Sequence, residues 1–302
     1  MDENIKQRFA FIEFLLLFKG RVTRNELVER FSIGEATASR LIASYLEEFP
    51  SQMHFLGARV GYGITPESTF YFPHSVEEAL RYIGYGVISQ QFQVETFGTN
   101  CLMMNVDLDL KIVSTITRAI AGNARSENSC ISIEYVSTSS GKSMKYLKPH
   151  SIFKAGNAWY FRAFEISKQA IENNEYVGSF KTFKFTRVSS VKDTEMFSDC
   201  EIGKERDDEW NRQRTLRLTA HPKMKHPESQ ELDLGLKHGG YKDLFVSEAL
   251  LGFALLDLRV DCSQTRKLNP FEYPLCLENR EELLYIPSMK MAPGFVESNK
   301  DI

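Results

Sequence analysis

The chain has 302 residues, of which 42% are hydrophobic and 25% charged, the makeup of an ordinary soluble globular protein with two or three domains. Its net charge of -3 argues against a uniformly basic coat, so any nucleic-acid contact has to come from local patches. The five cysteines (Cys101, Cys130, Cys200, Cys262 and Cys276) are too scattered for a metal clip, and their odd count fits reduced thiols in a cytoplasmic protein.

The start, Met1-Asp2-Glu3-Asn4, is acidic and unlike a signal peptide. Residues 5–18 predict a helix with Ile5, Phe9, Ile12 and Leu16 on one face and Gly20 as its stop. The apolar run from Phe9 to Phe18 is broken by Glu13 and falls far short of the roughly 20 residues that span a bilayer, so no membrane partner is expected. Thr23-Arg24-Asn25-Glu26 reads as a capping box that opens a second helix carrying Leu27, Val28 and Phe31. Ser32-Ile33-Gly34-Glu35 repeats the pattern and opens a third, with Ala38, Leu41, Ile42 and Tyr45 inward.

Two short helices joined by a tight turn, the second polar on its outer face, form the layout of a helix-turn-helix. The outward positions of the third helix are Glu35, Ala36, Thr37, Ser39, Arg40 and Ser44. Small side chains let a helix enter the major groove, hydroxyls reach phosphates or base edges, and an arginine binds guanine through two bonds. Met53–Leu56 and Val60–Ile64 read as a hairpin wing with Arg59 at its tip, and Pro66 closes the domain. Arg24, Arg40 and Arg59 fall on the face that would meet double-stranded DNA. A three-helix domain used for protein contact alone is the competing reading, because the charges of residues 1–66 are balanced.

Ser75-Val76-Glu77-Glu78 reads as a further capping box, opening a helix with Leu80, Ile83 and Val87 inward. Another helix runs from about Asp109 to Ala121, with Ile112, Ile116 and Ile120 spaced at four, while residues 89–106 are poorly patterned. From Cys130 the period becomes two. Ile131, Ile133 and Tyr135 share one face, Ser139-Ser140-Gly141 and Gly156-Asn157 are turns, and Phe180–Thr186 is a later strand, which together predict a small barrel or curled sheet. Residues 142–187 hold nine basic against three acidic side chains, a net +6. In the strand between, Trp159, Phe161 and Ala163 read as core, while Tyr160, Arg162 and Phe164 set a stacking ring beside a guanidinium, which suits a phosphate or nucleobase. A solvated basic face is the plain alternative.

Trp159-Tyr160-Phe161 resembles the Trp-Tyr-Leu signature of WYL domains, with Phe in place of Leu. Ile133-x-Tyr135, Ser140-Gly141, Pro149-His150, Arg162-Ala163 and Phe183-x-Phe185-x-Arg187-Val188 extend the likeness in order and spacing. The architecture is similar to WYL regulators found with bacterial anti-phage systems of the BREX and CBASS types. That resemblance implies an α+β, multidomain chain. Residues 1–68 would be the winged helix-turn-helix, 69–122 a helical connector, 123–205 an Sm/SH3-like β-barrel and 206–302 a small α/β dimerisation extension. It implies a homodimeric repressor of a palindromic operator, relieved by a nucleic acid or nucleotide held by His150, Tyr160, Arg162 and Arg187, with Lys148, Lys181 and Lys184 at the rim.

In the last segment Leu216, Leu218 and Ala220 alternate as a strand, Val246–Leu258 reads as a helix with Leu250, Phe253, Ala254 and Asp257 along it, and Leu275–Leu277 is a strand. No paired carboxylates, phosphate loop, metal cluster (His221 and His226 lack further ligands) or nucleophile with a base stands out, so neither catalysis nor a cofactor is expected. A transcriptional activator and a non-catalytic module that binds single-stranded nucleic acid remain as alternatives to a repressor.

Overall fold

The computed structural model describes residues 2–85, 107–167, 177–197, 200–236 and 239–296. The fold is α+β, and the chain divides into two compact units, 1–203 and 204–302. Val87, the stretch 89–106, Cys101 and part of the basic window, including Lys168, lie outside the described residues.

The first unit opens with α1 (Glu3–Lys19), which ends where Gly20 takes a left-handed φ of 77° and its N–H bonds Leu16 O. The expected single apolar face understates this helix. Ile5 is exposed, whereas Phe11, Leu15 and Phe18 are buried beside Phe9, Ile12 and Leu16. The reason is that α1 serves two cores. Its residues from Phe9 to Leu16 pack with α2 (Arg24–Phe31) and α3 (Glu35–Glu48), while Leu17 and Phe18 join the core under the second sheet.

The capping box at Thr23 forms as expected: Glu26 N–H donates to Thr23 Oγ1 at 3.4 Å and Thr23 N–H to Glu26 Oε2 at 2.8 Å. The second box does not form. Ser32 is the left-handed terminator of α2, with φ 51°, and Gly34 precedes α3 without a side-chain cap. An N-cap residue needs extended backbone, and Ser32 is already spent on turning the chain. At Ser75 only half a box is made, Glu78 N–H donating to Ser75 Oγ at 3.3 Å. Strands β2 (Met53–Gly57) and β3 (Gly61–Ile64) form the wing, and β1 (Arg21–Val22) completes a sheet of order β1-β3-β2.

Helix α4 (Val76–Tyr85) follows, then α5 (Leu110–Ala124), whose first turn is capped by Asp109 accepting from Ile112 N at 2.9 Å. The second sheet has five antiparallel strands, β4 (Cys130–Ser137), β5 (Gly141–Ala155), β6 (Ala158–Ile166), β7 (Gly178–Lys184) and β8 (Val188–Thr194), in the order β7-β6-β5-β4-β8. Among the described residues no ladder joins β7 to β8, so closure of the expected barrel is not shown. Helix α5 lies against it, and Val113, Ile116, Ile131, Ile133, Leu147, Trp159, Phe161, Ala163 and Phe183 form one core. Burying a ring such as Phe161, which is fully enclosed, contributes about 1.5–3 kcal/mol.

The second unit contains the short α6 (Asp208–Asn211), β9 (Gln213–Ala220), α7 (Glu228–Asp233), β10 (Lys242–Ser247), α8 (Glu248–Asp257), β11 (Val260–Asp261) and β12 (Leu275–Leu277), with sheet order β10-β9-β12-β11. Val246 lies within β10 and does not start the helix, and Leu251 and Leu255, rather than Leu250 and Asp257, point into the core. Buried Asp261 accepts Ser263 N at 2.7 Å, Leu268 N at 2.9 Å and His221 Nε2 at 3.3 Å, pinning the loop between β11 and β12.

Candidate nucleic-acid interface and ligand face

A cleft of about 590 Å³ opens between the start of α2, the middle of α3 and the wing. Its lining includes Arg24 and Asn25 from α2, Ser39 from α3, and Phe55, Ala58 and Arg59 from the wing. The sequence-derived Arg24, Ser39 and Arg59 are therefore brought together. Glu35, Thr37, Arg40 and Ser44 do not line the cleft, but all four are exposed on α3, opposite buried Ala38, Leu41, Ile42 and Tyr45. The hairpin stays close to β1 because Gly61 adopts φ +93° and a Cβ there would meet Val22 O at 2.3 Å.

Behind α3 lies a buried carboxylate that pattern reading passed over. Glu13 of α1 is fully enclosed and accepts Tyr71 N at 2.9 Å, Phe72 N at 2.8 Å and His74 Nε2 at 2.8 Å. The Tyr45 hydroxyl of α3 sits close by; burial first, and then the Glu13 charge, push its pKa up. The hint in the sequence is Glu13 interrupting the apolar run from Phe9 to Phe18.

On the five-stranded sheet, register settles which side chains share a face. Phe153, Tyr160 and Lys184 form one cross-strand row, and Ser151, Arg162 and Thr182 the next. Phe153 and Tyr160 stack at 5.3 Å and 12°, and the Lys184 ammonium lies 6.0 Å from the Tyr160 ring centre. Arg162 is buried and its Nη1 reaches Thr182 Oγ1 at 3.5 Å. His150 sits at a bulge in β5, with Nδ1 2.9 Å from Ser151 Oγ and its ring 5.7 Å from that of Phe180. Tyr160, Arg162, Lys184 and His150 thus cluster, and Phe153, Ser151 and Thr182, which sequence reasoning missed, complete the surface. Two-residue periodicity across β5 and β7 was the signal for them.

Two expected rim lysines are elsewhere. Lys148 is buried, its Nζ bonding Asn128 Oδ1 at 2.9 Å and the Cys200 carbonyl, which ties β5 to the segments before β4 and after β8. Lys181 pairs in register with Ala163, on the opposite side from Arg162, and bridges Glu165 at 2.7 Å. Burial works to raise the Glu165 carboxyl, but Lys145 and Lys181 outweigh it and hold it below the ordinary glutamate range. Arg187 is half-buried in the helical turn after β7, and no described residue engages its guanidinium.

On the core side of the same strand, Trp159 Nε1 donates to Glu77 of α4 at 2.8 Å, and Lys154 reaches that carboxylate at 3.2 Å. Burial would raise Glu77, yet the bonds from Trp159, Lys154 and Arg81 hold it low. Consecutive residues of β6 thus face the Phe153–Tyr160 stack and helix α4.

A three-helix core with a two-stranded wing is the layout of a DNA-binding transcriptional regulator. Comparison with known proteins agrees. The BrxR transcriptional regulator winged helix-turn-helix domain matches residues 4–84, and the BrxR transcriptional regulator C-terminal dimerization domain matches residues 213–283. The DNA-binding transcriptional repressor CapW of Pseudomonas aeruginosa is 28% identical over 297 residues, covering 92% of this chain and 90% of the relative. CapW of Escherichia coli (strain KTE188) is 25% identical over 288 residues, with the same coverage. Together these matches support a WYL-type transcriptional regulator.

Proposed function

We propose that the chain is a sequence-specific DNA-binding repressor that acts in the cytoplasm as a homodimer on a palindromic operator, and that it controls a phage-defence operon including its own gene. The observation that carries this reading is the cleft that joins Arg24, Ser39 and Arg59 beside the exposed face of α3. Arg40, Thr37, Ser44 and Glu35 on that face would read base edges, while Arg24 and Arg59 would hold phosphates. Two copies related by a two-fold axis would place two such helices on the half-sites of a palindrome. The match of residues 213–283 to a dimerization domain and the names of the CapW relatives support both parts.

Relief of repression would follow when a nucleic acid or nucleotide settles on the sheet, stacking a base on Tyr160 and placing a phosphate near Arg162, Lys184, His150 and Arg187. A preference of that ligand for one of two dimer arrangements by about 1–3 kcal/mol is enough to shift operator affinity. The test is a mobility-shift titration on the upstream region of its own gene. Arg40→Ala should abolish the preference for that duplex over a scrambled one, and no binding by the intact protein would sink the reading.

A second reading rests on the Phe153–Tyr160 stack, which suits an unpaired base as well as a nucleotide: the sheet would capture single strands to assist another effector. It predicts salt-sensitive binding of single strands, lost in Arg162→Ala, with no operator preference. Activation is separated from repression by a promoter reporter in a strain lacking the gene.

A further inference from the structure

We infer that Phe55 is a DNA-contacting residue, an apolar wedge on the wing that seats against deoxyribose while Arg24 and Arg59, which share the cleft lining with it, hold the flanking phosphates. The inference rests on the DNA-binding reading and adds to it a contact of another chemical kind.

Phe55 lies two residues from the end of β2 and is 61% exposed. Its register partner is Tyr62, with ring centres 5.2 Å apart, so one flank of the phenyl ring is propped and the other faces the cleft. A large exposed aromatic side chain on a short hairpin is costly to leave in water, and it shares the cleft lining with Arg24 of α2 and with Arg59 of the wing itself. A second copy of this chain would bring its own arginines to the same cleft. A partner with both anionic and apolar surface fits better, and a nucleic-acid strand alternates the two along its backbone. The sugar is the apolar part that is present whatever the sequence. Gly61 keeps the wing at this angle, because any side chain there would drive β3 away from Val22.

Phosphate contacts and a sugar contact separate by their response to salt. Each lost phosphate contact lowers the slope of log affinity against log salt by about one, whereas an apolar contact releases no counterion. Anisotropy titrations of the full chain on the upstream duplex and on a scrambled duplex, across a salt series, read both quantities. Phe55→Ala should bind both duplexes about tenfold more weakly with an unchanged slope, and Phe55→Tyr should restore affinity. Arg59→Ala should flatten the slope. Unchanged affinity in Phe55→Ala, or a loss confined to the upstream duplex, which would mean a base contact, overturns the inference. Failure of the unmodified chain to bind any duplex overturns instead the reading on which it rests. A circular-dichroism melt matching the unmodified chain establishes that Phe55→Ala is folded.

Discussion

Removing the Glu13 carboxylate tests how the winged helix is tied to the rest of its unit. Glu13→Ala deletes the acceptor for two backbone N–H groups and one imidazole nitrogen, all within 3.0 Å, at a site with no exposure. A bond to a charged acceptor contributes about 1.5–3 kcal/mol, and relief from desolvating the carboxylate offsets part of the loss. The net cost should resemble that of breaking other buried charge networks, about 3–5 kcal/mol. Against the roughly 5–15 kcal/mol that holds a domain together, this is a large share. For a unit of 203 residues, at about 2–4 °C per kcal/mol, the melting temperature should fall by about 10 °C. Glu13→Gln keeps one oxygen but turns an NH2 toward donors, and should fall in between. Thermal melts of the three proteins decide the matter. An alanine variant within about 1 kcal/mol of the parent would show that the aromatic contacts of Phe49 with Tyr71 and Phe72 hold this segment without the carboxylate.

Trp159→Phe keeps a ring in the core but loses the 2.8 Å bond to Glu77, so it should cost about 1–2 kcal/mol, and a double-mutant cycle with Glu77→Gln should show the two losses to be non-additive. Gly252→Ala would put a Cβ 2.0 Å from the Ser288 carbonyl and should melt the second unit earlier, leaving duplex affinity per folded dimer unchanged. The Asp261 carboxyl has its pKa lowered: burial opposes this, but bonds from Ser263, Leu268 and His221 prevail. Its stabilisation is full above the unfolded value of about 3.9 and is lost as pH falls through the lower folded value, so acid melts of the second unit should steepen there in the parent and flatten in Asp261→Asn.

Helices, wing and sheet were legible because their periods and caps are local. The Thr23 box, the Gly20 stop and the alternation from Trp159 to Phe164 each need only a few neighbours in sequence. The basic window misled for the opposite reason. Among the described residues, Lys142 is engaged by Glu134, Lys145 and Lys181 by Glu165, Lys154 by Glu77, and Lys148 by the Cys200 carbonyl and Asn128. Glu134, Glu77, Asn128 and Cys200 lie outside residues 142–187, so a count along the chain misses partners supplied by neighbouring strands and helices. Glu13 escaped in the same way. Its acceptor role exists only once residues 71–74 fold back across α1.

The two halves of the first unit are joined by shared structure. Helix α1 gives Phe9, Ile12 and Leu16 to the DNA-reading core and Leu17 and Phe18 to the sheet core, and no loop separates them. Arg118 and Arg125 bond the carbonyls of Leu17 and Lys19, which fixes the end of α1 to α5. Helix α5 packs in turn on the strands whose other face carries Tyr160 and Arg162. Packed interiors are dense and deform little, so a shift of β6 has to be taken up by its neighbours. One neighbour is Glu77, the acceptor of the Trp159 indole, at the start of the helix that follows His74, and His74 bonds the carboxylate beside Tyr45 of α3. Trp159, next to the stacking ring, and Tyr45 of α3, by way of Glu13, are therefore both tied to the short segment from His74 to Glu77.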